Sequence, residues 1–268
     1  MKNKLFDVSD KVIVVTGSSG ILGAQYLETL LKAGAKVCGI DLDTNALTKK
    51  YEQKFPKNFL FKSCNILDKK DLECSLDEIK SFLGSPTVLI NNAAIDSPPS
   101  KDSVVPSFEN TSEKSWDEVN DVNLKGTFLC CQVFGGEMAN NNHGSIINIS
   151  SIYGLLSPDQ SMYQYKRDQG IEFYKPVAYS VTKGGILNLT RYLATYWASK
   201  GVRVNSLTLA GVRGDQDKEF LEQYEKRIPI GRMAKINEYN GAIIFLSSNA
   251  SSYMTGSNLV IDGGWTAI

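Results

Sequence analysis

Short β-branched runs separated by longer helical patterns leave this chain few folds to choose from. KVIVVT (11–16) reads as a strand, ILGAQYLETLLKAGA (21–35) as a helix ended by glycine, and KVCGID (36–41) as the next strand. FLFKSC, TVLINNA, GSIINIS, VRVNSLTL and NLVID continue the series, each preceded by a helix-like segment. Strands alternating with helices build βαβ units, and right-handed crossovers place helices on both faces of one parallel sheet. The expected fold is therefore α/β and doubly wound, a single parallel seven-stranded sheet with ligands at the carboxyl ends of its strands. No repeat, low-complexity tract or linker divides the chain, so residues 1–268 are expected to form one domain.

Two segments break the rhythm. IDSPPSKDSVVPSFENTS (95–112) is rich in proline and serine and reads as a loop after the fourth strand. LLSPDQSMYQYKRDQGIEFYKP, an insertion at about 155–176, separates the fifth strand from the following helix. Long loops in compact domains are usually functional or disordered, and both of these fall on the ligand-binding edge.

Charge and composition remove several function classes. Lysine plus arginine number 29 and aspartate plus glutamate 29, so no net field draws the chain toward nucleic acid or an anionic membrane. The expected partner is a small-molecule substrate. His143, in the polar NNNHGS turn, is the single histidine. A Ser-His-Asp hydrolase or a His-ligated metal site would have to be built on it, and no metal site is expected. Cys38, Cys64, Cys74, Cys130 and Cys131 show no CxxC or paired spacing, which suits a reducing compartment. MKNKLFDVSDKVIVVTG fits neither a signal peptide nor a membrane span, so the expected location is cytoplasmic.

TGSSGILG (16–23) follows the first strand directly and opens the first helix. Gly17 permits a tight turn, Gly20 lets backbone approach a pyrophosphate, and Gly23 allows close packing, while the helix N-terminal amides supply positive potential. Gly17, Ser19, Gly20, Ile21 and Leu22 are thus candidate cofactor contacts in a Rossmann fold. Asp41 ends the second strand about 20 residues further on, where a carboxylate accepts hydrogen bonds from an adenosine ribose. It would repel a 2′-phosphate and no arginine stands beside it, so NAD is expected over NADP.

VAYSVTKGG (177–185) sets Tyr179 and Lys183 four positions apart, one helical turn on one face. Spacing alone does not single them out, because Tyr196 and Lys200 in YWASK repeat it. The motifs TGSSGILG, NNAA (91–94), Asn123 in VNLKG, NISS (148–151), YSVTK and MTGSNLVIDGGW, in this order across nearly the whole chain, resemble the short-chain dehydrogenase/reductase family.

That resemblance selects the first pair. It implies hydride transfer between a nicotinamide cofactor and a secondary alcohol or ketone, with Asn123, Ser151, Tyr179 and Lys183 as the catalytic set. Alcohol oxidation requires loss of the hydroxyl proton, and a phenol with pKa near ~10 is a poor base at neutral pH. The Lys183 ammonium and the oxidised nicotinamide are both cationic and would favour the phenolate. Ser151, favoured over Ser150 by the family's pattern, would hold the reacting oxygen in line. Asn123 would hold a water linking Lys183 to solvent; the alternative is a helix-bending residue bonded to backbone. The resemblance also implies that Asn65 and Ile66 border adenine, that Asn92 and Ala93 flank the ribose, that Tyr179 and Lys183 contact the cofactor, and that backbone near Val212 reaches the carboxamide. Tyr196 and Lys200 are read as structural.

Three departures from the family pattern carry information. The glycine turn reads G-x-x-G-x-x-G, similar to extended nucleotide-sugar epimerases, which have a longer C-terminal substrate region. Leu209 and Ala210 replace the usual proline-glycine, and aspartate is common where Asn65 stands. The interval from Ser151 to Tyr179 is about twice the family's usual one. The resulting insertion holds Tyr163, Tyr165, Lys166, Arg167, Tyr174 and Lys175, a mixture suited to a polyhydroxylated or phosphorylated ligand, or else to a solvated surface loop. Together with SIYG and GVRGDQ, it is similar to a bacterial subgroup associated with flagellin modification and surface-sugar biosynthesis. The expectation is an NAD-dependent oxidoreductase acting on a sugar or sugar-phosphate. The competing readings are an NAD-using epimerase or dehydratase, and a catalytically silent NAD-binding protein. Segment 115–138 and the Tyr179 helix are apolar around much of their circumference, which implies a homodimer or homotetramer.

Overall fold

In the computed structural model, which describes residues 4–44, 46–99 and 103–268, seven parallel strands form one sheet in the order β3-β2-β1-β4-β5-β6-β7. The strands are β1 (Val12–Thr16), β2 (Lys36–Asp41), β3 (Phe59–Ser63), β4 (Val88–Asn91), β5 (Gly144–Ser151), β6 (Val202–Leu209) and β7 (Asn258–Ile261). The helices are α1 (Ile21–Lys32), α2 (Ala46–Lys54), α3 (Lys69–Phe82), α4 (Glu113–Asn120), α5 (Thr127–Cys130), α6 (Gly136–Asn140), α7 (Gln164–Asp168), α8 (Val177–Tyr196), α9 (Lys218–Arg227) and α10 (Asn240–Ser247). None of the described helices is long and apolar enough to cross a membrane.

The period-two alternation of each strand assigns its side chains to two cores. Ile13 and Val15 of β1, Val88 and Ile90 of β4, and Leu207 and Leu209 of β6 pack on one face with Leu27, Leu30 and Leu31 of α1 and Ile243 and Leu246 of α10. Val12, Val14, Leu89, Ile146, Val202 and Val204 point the other way, onto Leu72 and Ile79 of α3, Cys130 of α5 and Leu193 of α8. Continuous apolar runs such as VIVVT are therefore buried on both sides, the usual state of a parallel sheet. Each such side chain contributes about 1.5–3 kcal/mol on burial.

The expected helix at 21–35 stops at Lys32, and Gly34 reverses the chain at φ +92 with its N–H on the Leu31 carbonyl. The segment read as one apolar helix at 115–138 is less regular. Between α4, α5 and α6 lie two π-helical stretches, Asp121–Gly126 and Cys131–Gly135, whose hydrogen bonds each span one more residue than those of an α-helix.

The chain steps from β1 outward to β3 and then returns to β4 on the other side of β1, so the switch point lies between β1 and β4. There Asn92 Nδ2 donates to the carbonyls of Thr16 and Gly17, both at 3.1 Å, and the Ala93 N–H donates to Thr16 Oγ1 at 3.1 Å. A third apolar cluster roofs this edge. It joins Tyr153, just after β5, and Met162, Tyr163 and Phe173 from the 155–176 region to Phe220, Leu221 and Tyr224 of α9.

Of the loop at 95–112, residues 100–102 lie outside the described part. The remainder is tied to the insertion by a parallel bridge between Val105 and Phe173. The insertion itself is not simply a solvated loop: it contains a 3-10 turn (Gln160–Tyr163) and α7 between irregular stretches, with Met162, Tyr163 and Phe173 essentially fully buried.

Candidate active site

β5 ends in two serines that alternation sends in different directions. Ser150 Oγ donates to the carbonyl of Lys183 at 2.9 Å and so ties the strand end to α8. Ser151 instead accepts the Tyr153 N–H at 3.2 Å and interacts with the Tyr179 phenol. On α8, Tyr179 and Lys183 share one face, with Lys183 Nζ 5.7 Å from the centre of the Tyr179 ring and donating to the Ile149 carbonyl at 2.9 Å. Ser151, Tyr179, Lys183, Asn92, Leu22 and Val212 all line one cleft of about 280 Å³ at the carboxyl edge of the sheet. Tyr196 and Lys200 are absent from it. Tyr196 is exposed and stacks on Tyr192, ring centres 5.9 Å apart.

In the protein alone, burial and the Asp96 carboxylate push Tyr179 well above its ordinary value, and Ser151 only partly opposes them. Burial drives Lys183 down to about 8, with Asp96 holding it partly up. The cleft therefore stores a reluctant cation beside a reluctant acid.

Asn123 is fully buried within the first π-helical stretch. Its Oδ1 accepts the Ile95 N–H at 2.7 Å, while its Nδ2 donates to the Ile95 carbonyl at 3.0 Å and to Thr182 Oγ1 at 3.3 Å. The side chain thus staples the segment after β4 to α8, one residue from Lys183.

The dinucleotide end can be tested on the cradle itself. Gly17 sits at φ +63, and a Cβ there would lie 2.7 Å from Ala93 Cα. A Cβ on Gly23 would meet the Gly17 carbonyl oxygen at 2.1 Å. Gly20 is the N-cap of helix α1 and offers no side-chain cap, so the helix's first amides are left for an anionic group. Asp41 Oδ2 accepts the Ser19 N–H at 2.9 Å, and Ser19 Oγ donates to the Asp43 carbonyl at 2.8 Å, which places a carboxylate directly beside the glycine turn. These features fit a dinucleotide. Gly23→Ala is expected to destabilise the protein by about 1–3 kcal/mol and to abolish dinucleotide binding, because the helix must back away from the turn. Denaturant melts and a fluorescence titration check both.

Asn65 Oδ1 accepts the Leu67 N–H at 3.0 Å, and Ile66 packs so tightly on Gly126 that a Cβ there would approach Ile66 Cδ1 to 2.6 Å. Where the family pattern has proline-glycine, the Ala210 carbonyl takes the Tyr239 hydroxyl at 2.9 Å and the Gly211 N–H donates to the Tyr224 hydroxyl at 2.7 Å. The Val212 carbonyl accepts from Gln216 at 2.8 Å, and a bridge from Val212 to Ala234 fixes this turn.

Of the six aromatic and cationic residues noted in the insertion, two line the cleft, Tyr163 and Lys175. The others are engaged within the roof. Lys166 and Tyr165 both meet the Asp217 carboxylate, at 3.3 and 2.8 Å, and Arg167 grips the Phe173 and Gln160 carbonyls, both at 2.8 Å, while stacking on Tyr174. The structure adds Asp96, which the sequence did not single out. No local periodicity marks it, since its partner Lys175 lies far along the chain. A larger cavity of about 520 Å³ opens at the amino edge of the sheet around Lys11, His143 and Arg203, away from all these residues.

A seven-stranded doubly wound sheet with a glycine turn at its switch point and a Ser-Tyr-Lys cluster above it defines a class of oxidoreductases. The chain belongs to the short-chain dehydrogenase/reductase family, and residues 17–266 match the family profile described as enoyl-(acyl carrier protein) reductase. It is 30% identical to an NAD-dependent glycerol dehydrogenase of Listeria innocua over 98% of this chain and 97% of that protein. Among solved structures it resembles a short-chain dehydrogenase from Leptospira borgpetersenii with bound NAD+ (TM-score 0.86, 31% identity, 99% of this chain and 96% of that one). It also resembles a gluconate 5-dehydrogenase from Burkholderia cenocepacia in complex with NADP and tartrate (TM-score 0.85, 25% identity, 99% and 98% covered).

Proposed function

We propose that this chain is an NAD-dependent dehydrogenase that interconverts a secondary alcohol and a ketone on a polyol or sugar. The observation that carries the reading is the convergence of Ser151, Tyr179 and Lys183 on one cleft that also reaches Leu22 and Asn92 of the dinucleotide end. NAD, when bound, supplies the hydride acceptor. Ser151 holds the substrate hydroxyl, Tyr179 takes its proton during oxidation and returns one during reduction, and the Lys183 ammonium stabilises the phenolate that oxidation requires. Asn123 positions α8 through Ile95 and Thr182. Gly17, Ser19, Gly20, Ile21 and Leu22 hold the pyrophosphate, Asp41 the adenosine ribose, Asn65 and Ile66 the adenine, Asn92 and Ala93 the ribose flank, and Val212 the carboxamide.

Residues 1–268 act as one dinucleotide-binding and catalytic domain, with 155–176 as the roof over the substrate. A homodimer or homotetramer is supported by the exposed Phe128 of α5 and Val181, Tyr192 and Tyr196 of α8. A cytoplasmic location is supported by five unpaired cysteines. A role in surface-glycan biosynthesis is supported by the likeness of SIYG, the insertion and GVRGDQ to that bacterial subgroup.

The test is a screen of polyols, sugars and their ketones with NAD and NADP in parallel. Net NADH production supports a dehydrogenase, whereas product isomerisation without NADH accumulation supports an epimerase. Asp41→Ala is expected to shift the NAD-to-NADP ratio of kcat/KM toward NADP by about 10- to 100-fold, roughly the 1.4–3 kcal/mol assigned to a carboxylate on the ribose hydroxyls. A wild-type preference for NADP would remove that role.

A further inference from the structure

Two charged residues of the cleft neither give nor take the transferred proton. Lys175 closes the insertion just before α8, and Asp96 lies after β4. Their side chains form an ion pair in which the lysine is almost wholly buried (4% exposed) and the carboxylate more open (38%). The lysine is clamped in place: Gln160 accepts its N–H at 2.9 Å and donates to its carbonyl at 3.1 Å. The Val105 N–H on the Glu172 carbonyl (2.9 Å) and the Tyr174 N–H on the Val105 carbonyl (3.1 Å) bind the insertion to the Asp96 side of the cleft. The ammonium lies 4.7 Å over the centre of the Tyr179 ring and 5.8 Å over that of Tyr153, so the pair stands beside the phenol that receives the proton.

The arrangement leaves one donor and one acceptor over. Of the three N–H groups of Lys175, one goes to Asp96 and one to the Ser97 carbonyl at 3.3 Å. Asp96 Oδ1 takes the Lys175 ammonium and the Ser97 N–H, whereas Oδ2 has no partner among the described residues. Desolvating the Lys175 ammonium offsets much of its attraction to Asp96, so the pair is weak evidence for stability, and its open carboxylate faces the cleft where a ligand would sit. The pair is also neutral as a whole. Among the described residues, Lys183 is the other charged one lining the cleft, and Lys166 and Arg167, which would suit a phosphate, are engaged inside the roof.

We propose that Lys175 and Asp96 form a donor–acceptor clamp on the hydroxyl neighbouring the reacting carbon, so that the enzyme selects a neutral vicinal diol, an uncharged polyol or sugar, over the carboxylated or phosphorylated member of the same series. The inference rests on the dehydrogenase reading above and narrows its substrate. A carboxylate or phosphate in this position would face Asp96 and displace it from Lys175, leaving a repelled or unpaired charge.

The experiment compares matched series, glycerol with glycerate and glycerol 3-phosphate, threitol with threonate, and sorbitol with gluconate and sorbitol 6-phosphate, on wild type, Asp96→Asn, Lys175→Met and the double variant Asp96→Asn/Lys175→Gln. In the series that reacts, the neutral member should lead by about ten-fold or more in kcat/KM. Asp96→Asn should raise its KM about ten-fold and move the neutral-to-anionic ratio toward the anion by at least as much, with the KM for NAD unchanged within about two-fold. Lys175→Met should weaken the neutral member without that swing, and the double variant, which restores an uncharged hydrogen-bonding pair, should recover the neutral preference. Circular dichroism and dinucleotide binding show that each variant is folded. A wild-type preference for the anionic member, or a ratio unmoved by Asp96→Asn, overturns the clamp while leaving the dehydrogenase reading intact. Absence of turnover on every series by wild type with either dinucleotide sinks both.

Discussion

Tyr179→Phe is expected to lower kcat/KM by about 10²–10⁴-fold, the usual weight of a positioned general acid or base, while Tyr196→Phe stays within about two-fold of wild type. The substitution deletes one oxygen and keeps the ring, so packing against Lys175 and Lys183 persists and dinucleotide affinity should change little. The electrostatics add a direction. Burial and Asp96 hold the phenol above its ordinary value, so the protein alone presents a neutral phenol at pH 7. A neutral phenol is the form that donates a proton during ketone reduction, whereas alcohol oxidation needs it ionised. Initial rates of oxidation should therefore climb as pH rises through the neutral range, and rates of reduction should fall at high pH. Both dependences should vanish from the residual activity of Tyr179→Phe. Full activity in Tyr179→Phe, or its loss in Tyr196→Phe, would transfer the proton-transfer role to the far end of the helix.

Much of this site could be read before any coordinates, because its positions follow from periodicity. Alternation along β5 separates Ser150 from Ser151, helical spacing sets Tyr179 over Lys183, and the glycine turn with Asp41 follows from where β1 and β2 end. What could not be read lies where two irregular segments meet. The contact between Asp96 and Lys175 joins residues 79 positions apart, and neither lies in a helix or strand that would dictate a face. The π-helical turn around Asn123 is similarly silent, since VNLKG has ordinary helix composition and the extra residue is accommodated by tertiary bonds to Ile95 and Thr182. The insertion looked like a bid for ligand because it mixes aromatics with cations. Its folding depends on Asp217 and on backbone carbonyls that take up Lys166 and Arg167, which composition alone does not reveal.

Lys183→Met should remove activity and yet stabilise the protein in the absence of dinucleotide. Burial lowers the lysine from its ordinary 10.5 to about 8, which at neutral pH amounts to roughly 3 kcal/mol of unfavourable desolvation. Methionine fills similar space without the charge, and the hydrogen bond lost at the Ile149 carbonyl returns about 1 kcal/mol of that gain, for a net stabilisation of about 2 kcal/mol. The sign with pH follows from which state holds the proton. Below pH 8 native and unfolded chains both carry the ammonium, so the native state bears the whole penalty. Between 8 and 10.5 the native state releases the proton first, the unfolded chain binds more protons, and the penalty fades as pH rises. Because buried cysteines and tyrosines titrate in the same alkaline range with the opposite effect, the informative quantity is the difference between variant and wild type. That difference, from urea melts at pH 6 to 10.5, should be largest below 8 and shrink steadily above it. A difference that is absent, or flat across that range, would mean that the lysine is not strained in the native protein. The chemistry assigned to it would then need a source other than a cation held against its solvation.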